Sequence, residues 1–241
     1  MQITMRPMTA EEAWKHILNN HSSYHRTLKK YGYSYNSFIP NVDVIREMFE
    51  KETLTTADIE KYRNAFMTEI YDVNKLKRLE PIFNMEIKTK FEQVVNKFLA
   101  PLLPSWNATM PKFLELRCAY GKGSGYYRPD SDHAIMLFRV SRYPENPEDI
   151  FNIMFHEFVH MLIQTPIIQK YNVPQDLKER IVDLICYEFI KKPVQPMFEK
   201  SFANAYITPE TIKNDLPGTV EKMMNDYKML QQNQMQQGQK L

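Results

Sequence analysis

Cysteine is nearly absent: Cys118 and Cys186 are the two in 241 residues. Two cysteines make neither a disulfide-stapled scaffold nor a four-cysteine zinc site. They suit a reducing compartment, with a single disulfide left open. Glycine is scarce as well, at 6 residues, which argues against an all-β chain with many tight turns. No stretch reaches the ~18 consecutive apolar residues of a membrane helix, so no membrane partner is expected. A basic excess is also missing. Lys+Arg is 31 against 29 for Asp+Glu, and a net charge of +2 gives no basis for a nucleic-acid partner. The opening MQITMRPMTAEEAWKH holds no apolar segment of the secretory kind. A cytoplasmic location is therefore expected, although export without a signal would leave no mark in the sequence. No internal repeat is seen.

What remains is ordinary globular material, 43% hydrophobic and 25% charged. The length suits one domain or one and a half. Residues 1–100 read as a helical N-terminal part. Thr9 is an expected N-cap with Glu12 as its capping-box partner, and Thr55 or Thr56 starts a later helix. Pro81 is expected in a first turn or at a kink. Pro101, Pro104 and Pro111 mark a break. Residues 101–228 then form a second part. KFLELRCAY (112–120) alternates like a strand, GKGSG (121–125) reads as a turn, and AIMLFRV (134–140) is a further strand. The Gln-rich residues 229–241 read as a disordered tail.

Two helices follow the strands. IFNIMFHEFVHMLIQ (150–164) is apolar on nearly every side, and PQDLKERIVDLICYEFIKK (174–192) ends in two lysines suited to a helix C-terminus. The first carries His156-Glu157-Phe158-Val159-His160, an HExxH motif. Helical residues four apart lie ~40° apart around the axis, so both imidazoles project the same way. Two neutral imidazoles so placed can bind one zinc ion at ~2.0–2.1 Å. Glu157 lies beside them, where a carboxylate can take a proton from a metal-activated water. The plain alternative is a buried histidine pair with Glu157 in an ion pair, but three ionisable groups in an apolar helix are costly without a partner.

Zinc needs a third protein ligand, and no histidine follows His160. Cys186, Glu179, Asp183 and Glu188 are the candidates. Glu179 and Asp183 share a helix face, and 18 residues after His160 leave room for a turn and a returning helix. Glu179 is then placed beside the histidines. Asp183, one turn on, is placed to accept a hydrogen bond from the outer nitrogen of a ligand histidine. A solvated acidic face is the alternative for both. His21 and His25, also four apart, are read as a solvated face. Asp130, Asp132 and His133 are read as a loop entering a strand.

HEFVH, eighteen residues, then Glu179-Arg-Ile-Val-Asp183 resembles the gluzincins, zinc peptidases typified by thermolysin and the zinc aminopeptidases. The resemblance implies an α+β, zincin-like fold with a small, mostly antiparallel sheet, the HExxH helix and a ligand-glutamate helix. It implies that His156, His160 and Glu179 bind Zn2+, that Glu157 is the general base, and that Asp183 supports a histidine. It puts Tyr171, between the motif and Glu179, where thermolysin-like enzymes carry a tyrosine, and so makes it a candidate oxyanion donor. It further implies that residues 134–140 are an edge strand pairing with substrate backbone. Gly-x-Met-Glu-Asn, the aminopeptidases' signature, is absent. The expected activity is hydrolysis of a peptide or protein substrate. The alternative is a zinc-binding protein of the same fold without useful catalysis, acting as a binding or regulatory module. Oligomeric state is left open.

Overall fold

The computed structural model describes residues 1–22, 25–26, 43–120, 126–128, 133–140, 146–193 and 200–238. It opens with a strand, β1 (Gln2–Pro7), then α1 (Ala10–Asn19), α2 (Asp43–Glu50) and α3 (Thr56–Ala65). Thr9 caps α1 in a capping box with Glu12, and Thr55 caps α3 with Asp58. A nearly continuous helical run covers residues 73–106, with Pro81 in the first turn of Leu79–Ile82. Strands β2 (Phe113–Tyr120), β3 (Tyr126–Arg128) and β4 (His133–Val140) follow, then α4 (Pro147–Ile163) and α5 (Gln175–Ile190). The chain ends in α6 (Pro209–Asn214) and α7 (Leu216–Gly238).

Four strands form one sheet in the order β1-β2-β4-β3. The expected antiparallel sheet is corrected: β1 and β4 both pair with β2 in parallel, and β3 alone runs antiparallel, against β4. A run of consecutive strands with short links suggests hairpins. Here β4 instead slots between β2 and β3, and the first parallel pair is closed by more than a hundred intervening residues. That same insertion makes β4 interior, so residues 134–140 are not an edge strand. The edges are β1 and β3, and β3 packs against α4. The turn expected at 121–125 lies outside the described residues, as do Asp130 and Asp132.

Three further expectations are corrected. The first hundred residues are not a separate helical part. Their strand β1 completes the sheet, and Leu79, Phe83, Phe91, Val95 and Leu99 sit in one core with β2, α4 and α5. A second, smaller core gathers Trp14, Met48, Phe49, Tyr62 and Phe66. The glutamine-rich stretch continues α7 as far as Gly238. Gln, Met and Leu are good helix formers, and no proline follows Pro217 to stop them. His21 is also not on a solvated face. It is buried, with Nε2 2.8 Å from the Met48 carbonyl oxygen.

Leu114, Leu116 and Cys118 point from β2 into the main core, while Glu115 and Arg117 meet Arg6 and Glu12 on the other face. Phe91 fixes α4 against the helical run: its ring stands edge-on to Phe158 at 5.2 Å and to Phe151 at 6.5 Å. Phe91→Ala should cost about 3–5 kcal/mol in denaturant unfolding, because the cavity opens among the buried rings of Phe91, Phe151 and Phe158. A loss below about 1 kcal/mol would mean the site does not depend on this contact.

Candidate metal centre

Helix α4 begins at Asn146, whose side chain accepts from the Glu148 backbone, with Pro147 in the first turn. Its apolar residues bury it on most sides, and this carries His156, Glu157 and His160 inward at 3–4% exposure. After α4 a wide π-helical turn, Gln164–Gln169, contains Pro166, which lacks a backbone donor. The turn reverses the chain into α5, which packs back along α4. Glu179 and Asp183 then face the two histidines from one side of α5.

The side chains of His156, His160 and Glu179 form a group that could hold a metal ion. His160 Nε2 lies 3.0 Å from His156 Nε2 and 3.2 Å from Glu179 Oε2, and His156 Nε2 lies 3.5 Å from the same oxygen. Three donors bonded tetrahedrally at ~2.0–2.1 Å to one ion stand ~3.3–3.4 Å apart. The triangle here is of that size. Its electrostatics suit the deprotonated state that metal ligands need. Burial lowers the pKa of His160, against the pull of Glu179, which favours the neutral ring. Burial raises the Glu179 carboxyl, but hydrogen bonds from His156 and His160 outweigh it and hold it well below the usual carboxylate range.

The surrounding residues sort the remaining candidates. Asp183, fully buried, places Oδ1 3.5 Å from His156 Nδ1, on the far side of the ring from the triangle. Glu188 is instead paired with Lys213 and Lys191 and takes no part in the group. Cys186 has Sγ 4.0 Å from His156 Nδ1, again behind the ring, and burial pushes its thiol pKa up, away from the thiolate a metal would want. Tyr171 lies in the turn between the two helices, partly buried against the main core, with Lys170 Nζ 4.9 Å from its ring centre.

Two residues that sequence reasoning passed over also belong here. Gln175 donates to Glu179 Oε1 at 2.6 Å, with Lys178 Nζ 3.7 Å from the same oxygen, so Oε1 is held outward and Oε2 inward. The i, i+4 spacing of Gln175 and Glu179 was the available signal. Lys192, read as a helix-end cation, places Nζ 3.0 Å from His156 Nδ1. Nothing in its sequence context marks that contact.

No known protein family, curated protein or solved structure matches the chain. Among the described residues, no helix is long and apolar enough to cross a membrane.

Proposed function

We propose that the chain is a zinc-dependent metallopeptidase of the zincin kind, acting on a peptide or protein. The single observation that carries this reading is the donor triangle of His156, His160 and Glu179, with Glu157 buried beside it. The donor set fits zinc. Two imidazoles and one carboxylate suit a borderline-soft ion, whereas calcium and magnesium take oxygen ligands. When bound, zinc lowers the pKa of a water and polarises a carbonyl oxygen.

The chain's own residues supply the rest. The two Nε2 atoms and Glu179 Oε2 would hold the ion, and Gln175 keeps Oε1 turned away from them. Asp183, with Oδ1 3.5 Å from His156 Nδ1, would accept the ring's Nδ1–H in the zinc-loaded site and fix its orientation. Glu157 takes a proton from the attacking water and returns it to the leaving amine. The Tyr171 hydroxyl is assigned as donor to the developing oxyanion. Substrate backbone is assigned to the edge strand β3 in place of β4, by strand addition. Asp183→Ala should weaken zinc binding ~10–100-fold in a competition titration. An unchanged affinity would remove Asp183 from the site.

The absence of any histidine after His160 favours a second reading, a zinc-binding module without useful catalysis, since a downstream oxyanion donor of that type is missing. A mixed peptide library read by mass spectrometry separates the two. Cleavage by the zinc-loaded protein that stops with chelator and returns with zinc is the expected result. Zinc bound without cleavage would establish the module instead.

A further inference from the structure

Asn152 lies in the second turn of α4, one turn before His156, and has no part in the chemistry above. At ~100° per residue it falls ~40° from His156 and ~80° from His160 around the axis, so the three side chains form one stripe along the helix. The residue is half-buried. Its Oδ1 is nevertheless shut off from solvent, and no donor among the described residues reaches it. Other asparagines are used: Asn146 caps α4, and Asn204 accepts from Arg180. A shielded carboxamide oxygen without a donor costs stability, and asparagine is a poorer helix former than leucine. No hydrogen bond of the side chain offsets either cost. Breaches of this kind gather at functional sites, where a ligand supplies the missing partner.

We propose that Asn152 is a substrate-binding residue: its carboxamide turns to a peptide bound along α4 and accepts a backbone N–H two residues from the scissile bond. The inference rests on the peptidase reading above. The spacing supports it. Four helical residues rise ~6 Å, and two residues of an extended peptide advance ~6.4–6.8 Å. With the scissile carbonyl at the donor triangle, the backbone two residues away comes level with Asn152. The strand geometry agrees. β3 packs against α4, and a strand added to β3 leaves every second N–H pointing away from β3, in need of an acceptor elsewhere. Oδ1 has no bond to break where it lies, so the turn about χ2 sacrifices nothing. A carboxamide matches the peptide unit itself, so this contact reads backbone and sets no side-chain preference.

The test is a double-mutant cycle between enzyme and substrate. A peptide cleaved in the library screen is remade with a backbone ester in place of each amide in turn, which removes one N–H at a time. In zinc-loaded wild type, the ester two residues from the scissile bond should lower kcat/KM roughly 3–10-fold, through KM, as the loss of one hydrogen bond does. Asn152→Leu should lose about the same on the all-amide peptide and nothing more on that ester. Its zinc content should match wild type. Its urea midpoint without metal should equal or exceed wild type, because an unpaired polar group has been replaced by an apolar one of similar size. An ester penalty that is as large in Asn152→Leu as in wild type overturns the inference, and a lowered midpoint beside it would assign Asn152 to the fold. Should Asn152→Leu fail to fold, the wild-type ester scan decides, and an ester two residues from the scissile bond that costs nothing overturns the inference. A wild type that cleaves no peptide sinks the peptidase reading and this inference together, whereas cleavage without coupling sinks this inference alone.

Discussion

Purified His160→Ala should contain no stoichiometric zinc, while wild type holds about one ion per chain. The expectation follows from the ligand count. Three protein donors converge here, and His160 Nε2 stands closest to both of the others, at 3.0 and 3.2 Å. Structural zinc sites with four ligands bind with roughly 10–16 kcal/mol, or ~2.5–4 kcal/mol per ligand, so one lost imidazole costs ~10²–10³-fold in affinity. A two-donor remnant of His156 and Glu179 would not keep the ion through dialysis. The loss should also appear in stability. Zinc at 100 times its dissociation constant stabilises a protein by about 2.7 kcal/mol, so zinc should raise the melting temperature of wild type and leave that of His160→Ala unmoved. Stoichiometric zinc retained by His160→Ala, measured by elemental analysis, would show that the histidine pair is not the metal site.

The parts of this site that could be read in the sequence are those fixed by helix geometry. His156 and His160 share a face because residues four apart do so in any α-helix, and Glu179 and Asp183 share one for the same reason. That α5 returns to bring the two pairs together required only a reversal within eighteen residues, which the π-helical turn at Gln164–Gln169 supplies. Lys192 was not legible, because its reach to His156 depends on a left-handed Lys191 that no local pattern announces. The sheet misled for a related reason. Strand identity at 112–120 and 134–140 follows from alternation, since Leu114 and Leu116 must be buried while Glu115 and Arg117 stay out. Strand order does not, because it depends on long-range pairing. Nothing local says that Gln2–Pro7 pairs with Phe113–Cys118, or that β4 inserts between its predecessors. Register and topology are set by the whole core, in which Ile3, Leu114, Leu116 and Met136 lie together.

Glu157→Gln should abolish peptide hydrolysis while leaving zinc and fold in place. Glutamine matches the shape of the carboxylate and keeps a hydrogen-bonding end, so a side chain at 4% exposure is replaced without a cavity. It is not a ligand in the donor triangle, and zinc affinity should therefore stay near the wild-type value. What the amide cannot do is accept a proton. Glu157 lies ~100° around the helix from His156 and ~60° from His160, and in the proposed mechanism it is the carboxylate that serves the water. Losing a positioned general base costs roughly 10²–10⁴-fold, and here the same group must also return the proton to the leaving amine, so both halves of the reaction fail. The measurement is turnover of a peptide found in the library screen, with zinc content determined on the same preparation. Hydrolysis by Glu157→Gln at the wild-type rate would remove Glu157 from the mechanism. A rate loss accompanied by zinc loss would assign it instead to holding the site together. The two outcomes separate cleanly because the proposed mechanism assigns the ion and the proton to different side chains.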